Sequence, residues 1–412
     1  MKKFFLNKMA NILKNEGLVI IGNKFSGKWI KVPEECYEAI NYSITSKIPI
    51  YDTVDMFLDD KDKIYYKKII EKLDIIGLLG DSAIKEVGYG FIPRISFAIT
   101  NKCNLNCEYC CKDSSIEKAE KLGIEDLKMI IDKIVKLKPI NLTISGGEPL
   151  TRKDFKEFID YTKSIYSEKM ILSTNAILIN NENAEYIAKN FYAVEISLDG
   201  YDEDTCSKIR GKGVFNKVMK SIEILKNNGC DRISLSMVVG KHNYHYKTKF
   251  EELNERLGTT PKIRYFCSFG RGLENNNKYL EKGTLFFTPS DEYKNYEYEQ
   301  IDTGHCNAGI NQLHISDEGN LYLCPNLTDD EYKICNMKDF NSSSMAKLYK
   351  RDYEAFKNFD NLKENNNESC KNCSINIFCN VCPAQTNLIK NDKVAFDINC
   401  KFIKENLYHK IW

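Results

Sequence analysis

Four cysteines fall within nine residues of the stretch FAITNKCNLNCEYCCKDSS, residues 97–115: Cys103, Cys107, Cys110 and Cys111. The preceding run, FIPRISFAIT, is rich in β-branched and aromatic residues and predicts a strand. A strand that delivers its chain into a thiol-bearing loop constrains this sequence more than any other feature. The chain holds 16 cysteines in 412 residues, which in a small secreted protein would suggest disulfides. Its opening, MKKFFLNKMANILKNEG, has an apolar run too short and too interrupted for a signal peptide. In a reducing compartment grouped thiols bind metal or do chemistry. Cys36, Cys111, Cys206, Cys230 and Cys267 stand apart or lack an obvious partner, and most of them read as ordinary core residues. The other eleven are grouped.

The surroundings of the loop define an organisation. Residues 1–90 form a small unit: GLVIIG and KWIKVP read as strands around the turn NKFSG. EECYEAINYSI and KDKIYYKKIIEKLDIIGLL carry apolar residues at helical spacing, the second stopping at Gly80. From 91 to 290 strands and helices alternate. The strands are ISFAIT, INLTISG, MILSTNA, YAVEISLDG, DRISLSMVVG and PKIRYFCSFG, with helices such as GIEDLKMIIDKIVKLK and VFNKVMKSIEILKNNG between them. Six such units predict an α/β fold with a parallel sheet, open or curved into a partial (β/α)6 TIM-type barrel. Functional groups of parallel barrels gather where strands end. The segment 271–304 is polar and reads as linker or insertion within the boundary to the last block, 291–412, which is dense in cysteine and folds around metal. Lys plus Arg is 59 and Asp plus Glu 58, so no global field argues for nucleic acid or an anionic membrane. No stretch reaches the roughly 18 apolar residues of a membrane helix. A cytoplasmic protein without nucleic-acid or membrane partners is expected.

The triplet Cys103, Cys107 and Cys110 has C-x-x-x-C-x-x-C spacing. Three thiolates can each hold one iron of a [4Fe–4S] cube and leave the fourth open, as catalytic metal centres do. The alternative is a zinc site completed by a fourth residue such as Cys111. The second strand ends in TISGGEPL, where Gly146 and Gly147 remove side chains at a place of close approach and Glu148 adds an acceptor. Together the triplet and GGEP resemble the radical S-adenosylmethionine (SAM) superfamily. That resemblance implies that SAM chelates the open iron. An electron then splits the sulfonium, giving a 5′-deoxyadenosyl radical that abstracts hydrogen, chemistry carried by the cofactor. It further implies Tyr109 near the adenine, the Gly146-Gly147-Glu148 turn at the methionyl amine, and Ser173, Thr174, Asn175, Ser197 and Asp199 near the ribose and methionine portions. Arg210 would pair with the carboxylate. Ordinary turn and capping chemistry is the alternative for these strand-end residues.

The last block resembles the SPASM extension of radical SAM enzymes, with two auxiliary [4Fe–4S] clusters. By that resemblance Cys306, Cys324 and Cys382 hold the first, completed by Cys335, and Cys370, Cys373, Cys379 and Cys400 the second. Three, four and four ligands use all eleven grouped thiols. If Cys335 is not a ligand, the first auxiliary cluster has an open iron that a substrate thiolate could take. Zinc is again the alternative, although only five residues separate Cys373 from Cys379. The amino-terminal unit is winged-helix-like and resembles the peptide-recognition element of enzymes that modify ribosomally made peptides, binding a leader segment as an added strand; a structural cap is the other reading. The whole implies a peptide maturase resembling sactipeptide and ranthipeptide synthases, forming a thioether between Cys sulfur and carbon, with flavodoxin or ferredoxin as electron donor. Carbon–carbon cross-linking or epimerisation comes next, then sulfatase maturation, then a non-catalytic iron–sulfur scaffold. No catalytic acid or base is identifiable.

Overall fold

The computed structural model describes residues 5–6, 10–23, 26–80, 92–282, 284, 287, 301, 303, 306, 308–362, 368–379 and 381–412. Two compact units divide the chain: one comprises Met1–Gly88, Ser290–Cys306 and Asp360–Trp412, the other Tyr89–Pro289 and Asn307–Phe359.

In the first unit the short strand β1 (Phe5–Leu6) precedes β2 (Ala10–Asn15), β3 (Leu18–Asn23) and β4 (Trp29–Pro33), an antiparallel sheet in the order β2-β3-β4. Sequence reading found β3 and β4 and missed β2. The hairpin turns on Glu16 and Gly17, both at positive φ, between the paired residues Asn15 and Leu18. This is the two-residue turn whose twist suits a tight hairpin. Helix α1 (Glu34–Ser46) and helix α2 (Asp60–Ile75) follow as expected, and β5 (Leu79–Gly80) pairs with β1. Tyr66, Ile69, Ile70 and Leu73 of α2 bury one face in a core with Ile21, Val32 and Ile40, each such aliphatic contributing about 1.5–3 kcal/mol. Helix α2 stops before the expected Gly80. Gly77, at φ 74°, takes the left-handed position, and the Leu78 N–H closes onto the Leu73 carbonyl at 2.8 Å, a helix terminus that glycine favours.

The second unit realises the six expected strand–helix units. They run β6 (Arg94–Ala98), α3 (Ile124–Lys136), β7 (Asn141–Ser145), α4 (Phe155–Ile165), β8 (Lys169–Thr174), α5 (Ala184–Asn190), β9 (Ala193–Ser197), α6 (Glu203–Arg210), α7 (Val214–Asn227), β10 (Ile233–Val239), α8 (Lys247–Leu257) and β11 (Thr260–Tyr265). Every neighbouring pair from β6 to β11 is parallel. Side chains alternate along each strand: Ile95, Phe97, Leu142, Ile144, Leu172, Val194, Ile196 and Leu235 are buried, and Phe97 meets Phe158 of α4 edge-on at 6.2 Å. The intervening positions carry Ser96, Thr143, Ser173, Glu195, Ser197 and Ser236. That face is polar, unlike the continuous apolar runs of a parallel sheet packed on both sides.

The polar segment 271–304 holds the end of a 3-10 turn (Gly270–Leu273) and a short helix, α9 (Asn276–Tyr279), and most of the rest lies outside the described residues. The sheet then grows. Strand β12 (Gln312–Ile315) pairs parallel with β6, and β13 (Asn320–Tyr322) and β14 (Lys333–Asn336) add antiparallel, making nine strands in the order β11-β10-β9-β8-β7-β6-β12-β13-β14. Helices α10 (Ser342–Tyr349) and α11 (Glu354–Asp360) follow. The carboxyl-terminal part of the first unit has α12 (Glu368–Lys371), α13 (Pro383–Ile389) and α14 (Lys393–Ile411). Within that unit Trp29 Nε1 donates to the Ile301 carbonyl at 2.6 Å and its ring meets Phe378 at 4.8 Å, while Trp412 Nε1 donates to the Ser374 carbonyl at 2.7 Å.

Candidate active site

The loop leaving β6 is held at both ends. The Cys103 N–H donates to the Ser115 carbonyl at 3.0 Å and the Cys110 N–H to the Cys107 carbonyl at 3.2 Å. Donors point at each sulfur of the triplet: Leu105 N–H at 3.4 Å and Asn175 Nδ2 at 3.8 Å from Cys103 Sγ, Arg210 Nη1 at 3.9 Å from Cys107 Sγ, and Ser114 N–H at 3.3 Å from Cys110 Sγ. Burial pushes the Cys103 thiol up to about 11, with the Leu105 amide opposing. Burial also raises Cys107, with Arg210 pulling against it. Bare, the Cys103 and Cys107 thiols stay protonated at neutral pH; a bound metal would make them thiolates.

The glycine pair packs on this loop rather than standing aside for a ligand alone. Gly146 lies at φ 146°, and a Cβ there would meet the Thr100 carbonyl oxygen at 2.2 Å; one on Gly147 would meet the Lys102 oxygen at 2.4 Å. The N–H groups of Gly147 and Glu148 donate to those carbonyls, each at 2.8 Å. Glu148 is fully buried. Its carboxylate accepts from Thr174 Oγ1 at 2.8 Å, the Asn175 N–H at 2.6 Å and the Leu150 N–H at 3.1 Å, so it joins the ends of β7 and β8. Burial raises its pKa to about 6 against those donors. Asp199, at φ 60° and fully buried, accepts from the Val238 N–H at 2.6 Å and from Arg210 Nε at 2.5 Å, and pairs also with Arg210 Nη2.

Cys103, Cys107, Cys110, Tyr109, Gly146, Gly147, Ser173, Thr174, Asn175, Ser197 and Arg210 line one cavity of about 310 Å³ at the carboxyl ends of the strands; Glu148 and Asp199 lie behind its wall. Tyr109 is wedged edge-on against Phe266 at 6.2 Å and Tyr279 at 5.4 Å. Cys111 and Cys267, expected among the unpartnered thiols, also face this cavity, whereas Cys36, Cys206 and Cys230 are buried core residues as expected.

Sequence reading missed the strap that follows β11. The Arg271 N–H donates to the Cys110 carbonyl at 3.1 Å. Its guanidinium reaches the Cys107 carbonyl at 3.1 Å, Asp113 at 2.8 Å and the Ser114 carbonyl at 2.8 Å. Asn275 Nδ2 adds a bond to the Glu108 carbonyl at 2.8 Å, and a Cβ on Gly270 would meet the Cys110 oxygen at 2.5 Å. The only sequence signal was FGRG directly after a strand end.

Three soft thiols with N–H donors aimed at sulfur fit an iron–sulfur cube, and a cavity of this size fits a nucleoside-sized ligand. Among the described residues no three Cys, His, Asp or Glu side chains draw together as ligands of one ion do; the thiols of a cube bind separate irons and stand further apart. The remaining cysteines are placed unit by unit. In the second unit Cys324 follows β13, its sulfur accepting from the Asn326 N–H at 3.4 Å, and Cys335 lies on β14, where burial pushes it up to about 11. Lys112 Nζ donates to the Pro325 carbonyl at 2.6 Å, tying the Cys324 turn to the β6 loop. In the first unit Cys306 is half-buried, Cys370 and Cys373 share a turn, Cys382 caps α13, and burial raises the half-buried Cys400 thiol of α14.

Residues 97–252 match the profile of the Radical SAM superfamily. The chain is similar to the mycofactocin maturase MftC of Mycobacterium ulcerans, 32% identical over 268 residues that cover 59% of this chain and 71% of that protein. Against MftC of Mycolicibacterium smegmatis it is 33% identical over 181 residues, 44% of this chain and only 46% of the relative's length. The subtilosin biosynthesis protein AlbA of Bacillus subtilis is 26% identical over 277 residues, 62% of this chain and 60% of that one. The fold is similar to that of Streptococcus suis SuiB bound to its precursor peptide SuiA, with TM-score 0.52 and 15% identity over 95% of this chain and 98% of SuiB.

Proposed function

The chain belongs to the radical SAM superfamily, and from that premise we propose that it matures a ribosomally made peptide, joining a Cys sulfur to a carbon of another residue. The observation that carries this reading is the convergence of Cys103, Cys107 and Cys110 with the ends of β7, β8 and β9 on one cavity. When bound there, a three-thiolate [4Fe–4S] cube with SAM supplies a carbon-centred radical able to take hydrogen from substrate. The protein's own residues arrange the site. Leu105, Asn175, Ser114 and Arg210 direct donors to the sulfurs, Tyr109 offers an aromatic wall, and Gly146 and Gly147 let the β7 turn seat against the cysteine loop. Ser173, Thr174, Asn175 and Ser197 present polar groups to a bound nucleoside, with Glu148 fixing Thr174 and Asn175 from behind and Asp199 holding Arg210 at the cavity wall.

In this reading Cys306, Cys324, Cys335 and Cys382, and Cys370, Cys373, Cys379 and Cys400, hold two auxiliary clusters, and a flavodoxin or ferredoxin donates the electron. The β2-β3-β4 sheet, in which β2 and β4 are the outer strands of the described order, receives the peptide leader as an added strand. Names of the similar proteins, maturase and bacteriocin biosynthesis, support a peptide substrate; carbon–carbon linkage or epimerisation is the second chemistry they allow.

Reduced, reconstituted protein incubated with SAM yields 5′-deoxyadenosine, and Ala at Cys103, Cys107 and Cys110 abolishes it while auxiliary iron remains. Co-expression with a neighbouring Cys-containing peptide gives a mass loss of two hydrogens per bridge. A mass-neutral product would point to epimerisation, and no 5′-deoxyadenosine at all would sink the reading.

A further inference from the structure

Three cationic side chains, Lys112, Arg210 and Arg264, line the cavity, and among the described residues no carboxylate does. The charge of Arg210 is met by Asp199. Arg264 and Lys262 of β11 share a single acid: one Glu195 oxygen takes Lys262, and the other stands 3.8 Å from Arg264 Nη2. The Arg264 side chain is 59% exposed, so that loose contact leaves it available to a better partner. Lys112 bonds the Pro325 carbonyl, and the acid it interacts with, Asp317, acts through space rather than by a bonded contact. Among the described residues, therefore, no acid bonds Lys112, and Arg264 has only the 3.8 Å contact with Glu195. A three-thiolate cube is anionic and SAM is cationic overall, so the two together do not use up these two charges.

We propose that Lys112 and Arg264 form a subsite for a carboxylate of the peptide substrate, holding the reacting residue beside the cavity. The inference rests on the maturase reading of the same cavity. Guanidinium offers a bidentate fork and ammonium a point charge, a pair that takes a carboxylate in a fixed orientation. A subsite of this kind favours a carboxylate-bearing substrate over a neutral one, modestly where the guanidinium is exposed to water. The carboxylate is an acidic side chain or the chain terminus; both share this chemistry.

Cys111 and Cys267 line the same cavity as Lys112 and Arg264, and Cys111 is exposed, so a reagent reaching its thiol meets the field of both cations. This provides a test that needs no turnover. Holoprotein is alkylated with iodoacetate or iodoacetamide and the rates at Cys111 are read by mass spectrometry. Both reagents attack the same thiolate, so their rate ratio reports the local field and not its ionisation. In R264Q and in K112Q the iodoacetate preference falls about threefold, the effect of one unit charge at about 6 Å in water-like surroundings. In wild type, N-acetylglutamate amide slowing the reaction identifies a side-chain carboxylate as the ligand, and N-acetylglutamine slowing it identifies a chain terminus. Equal slowing by neutral N-acetylglutamine amide, or an unchanged reagent ratio in both variants, overturns the proposal. So does failure of R264Q to retain SAM in equilibrium dialysis, which would assign Arg264 to the cofactor. Failure of the maturase reading shows separately, as absence of 5′-deoxyadenosine from reduced wild type.

Discussion

The Asp199 carboxylate grips two nitrogens of the Arg210 guanidinium, and the third, Nη1, lies 3.9 Å from Cys107 Sγ. One buried acid thereby aims a nearly buried cation at the Cys107 sulfur. The pair joins the end of β9 to the end of α6, and Val238 of β10 secures the acid from the other side.

Removing Asp199 leaves Arg210 buried without its counter-charge. Asp199→Ala is expected to cost about 3–5 kcal/mol, read as a large fall in Tm of the apoprotein. Asp199→Ala combined with Arg210→Met should recover part of that loss, because no unpaired charge then remains. No recovery in the double variant would mean the pair acts through something other than charge.

Cutting Arg271 to Ala removes three side-chain bonds to the cysteine loop, one of them an ion pair. Charged hydrogen bonds contribute about 1.5–3 kcal/mol each at most, so iron release to a chelator should quicken by roughly an order of magnitude or more, and Tm of the apoprotein should fall as well. Arg271→Lys, which keeps the charge and loses the fork, should fall between. Equal release rates in all three proteins would remove the strap from the account.

Glu148 gives a pH signature. Its folded pKa is raised to about 6 by burial, above an ordinary glutamate near 4.3. The folded state therefore holds its proton longer than the unfolded chain. This group's contribution is most favourable below the unfolded pKa and is lost as pH rises to the folded one, by about 2 kcal/mol. Glu148→Gln cannot ionise. The stability difference between wild type and E148Q, from urea unfolding, should shift against wild type by that amount between pH 4.5 and 6.5. A pH-independent difference would contradict it.

Two glycines with positive φ should respond unequally to alanine. Gly146→Ala drives a Cβ to 2.2 Å from the Thr100 backbone oxygen, whereas nothing lies within 4 Å of one built on Gly211, at φ 99°. Gly211→Ala should cost about 1–3 kcal/mol of backbone strain, and Gly146→Ala more, because the clash with backbone adds to the strain, seen as loss of soluble protein or of iron. Similar melting temperatures for the two would refute the close-packing argument.

Much of this molecule was readable from residue patterns near one another in the chain. The six strands of the parallel sheet, helices α1, α2, α3 and α7, and the spacing of Cys103, Cys107 and Cys110 followed from local periodicity, β-branched runs and turn glycines. Those signals are local because backbone geometry repeats every two or about 3.6 residues. Strand β2 was missed because ANILKN carries only one clear alternation, and its pairing rests on the turn at Glu16 and Gly17.

Only the tertiary structure could decide which distant residues meet. Arg271 finds a carbonyl 164 positions earlier, Glu148 bonds the end of β8, and Cys111, Cys267, Lys112 and Arg264 arrive at one cavity from β6 and β11, five strands apart in the sheet. Strands β12 to β14, too short to show a period, became strands by adding one after another beyond β6. Composition and spacing state which groups a chain owns. Hydrogen bonds, ion pairs and close backbone packing between elements far apart in the chain depend on where the sheet and its loops bring them, and that placement leaves no mark in the neighbouring sequence.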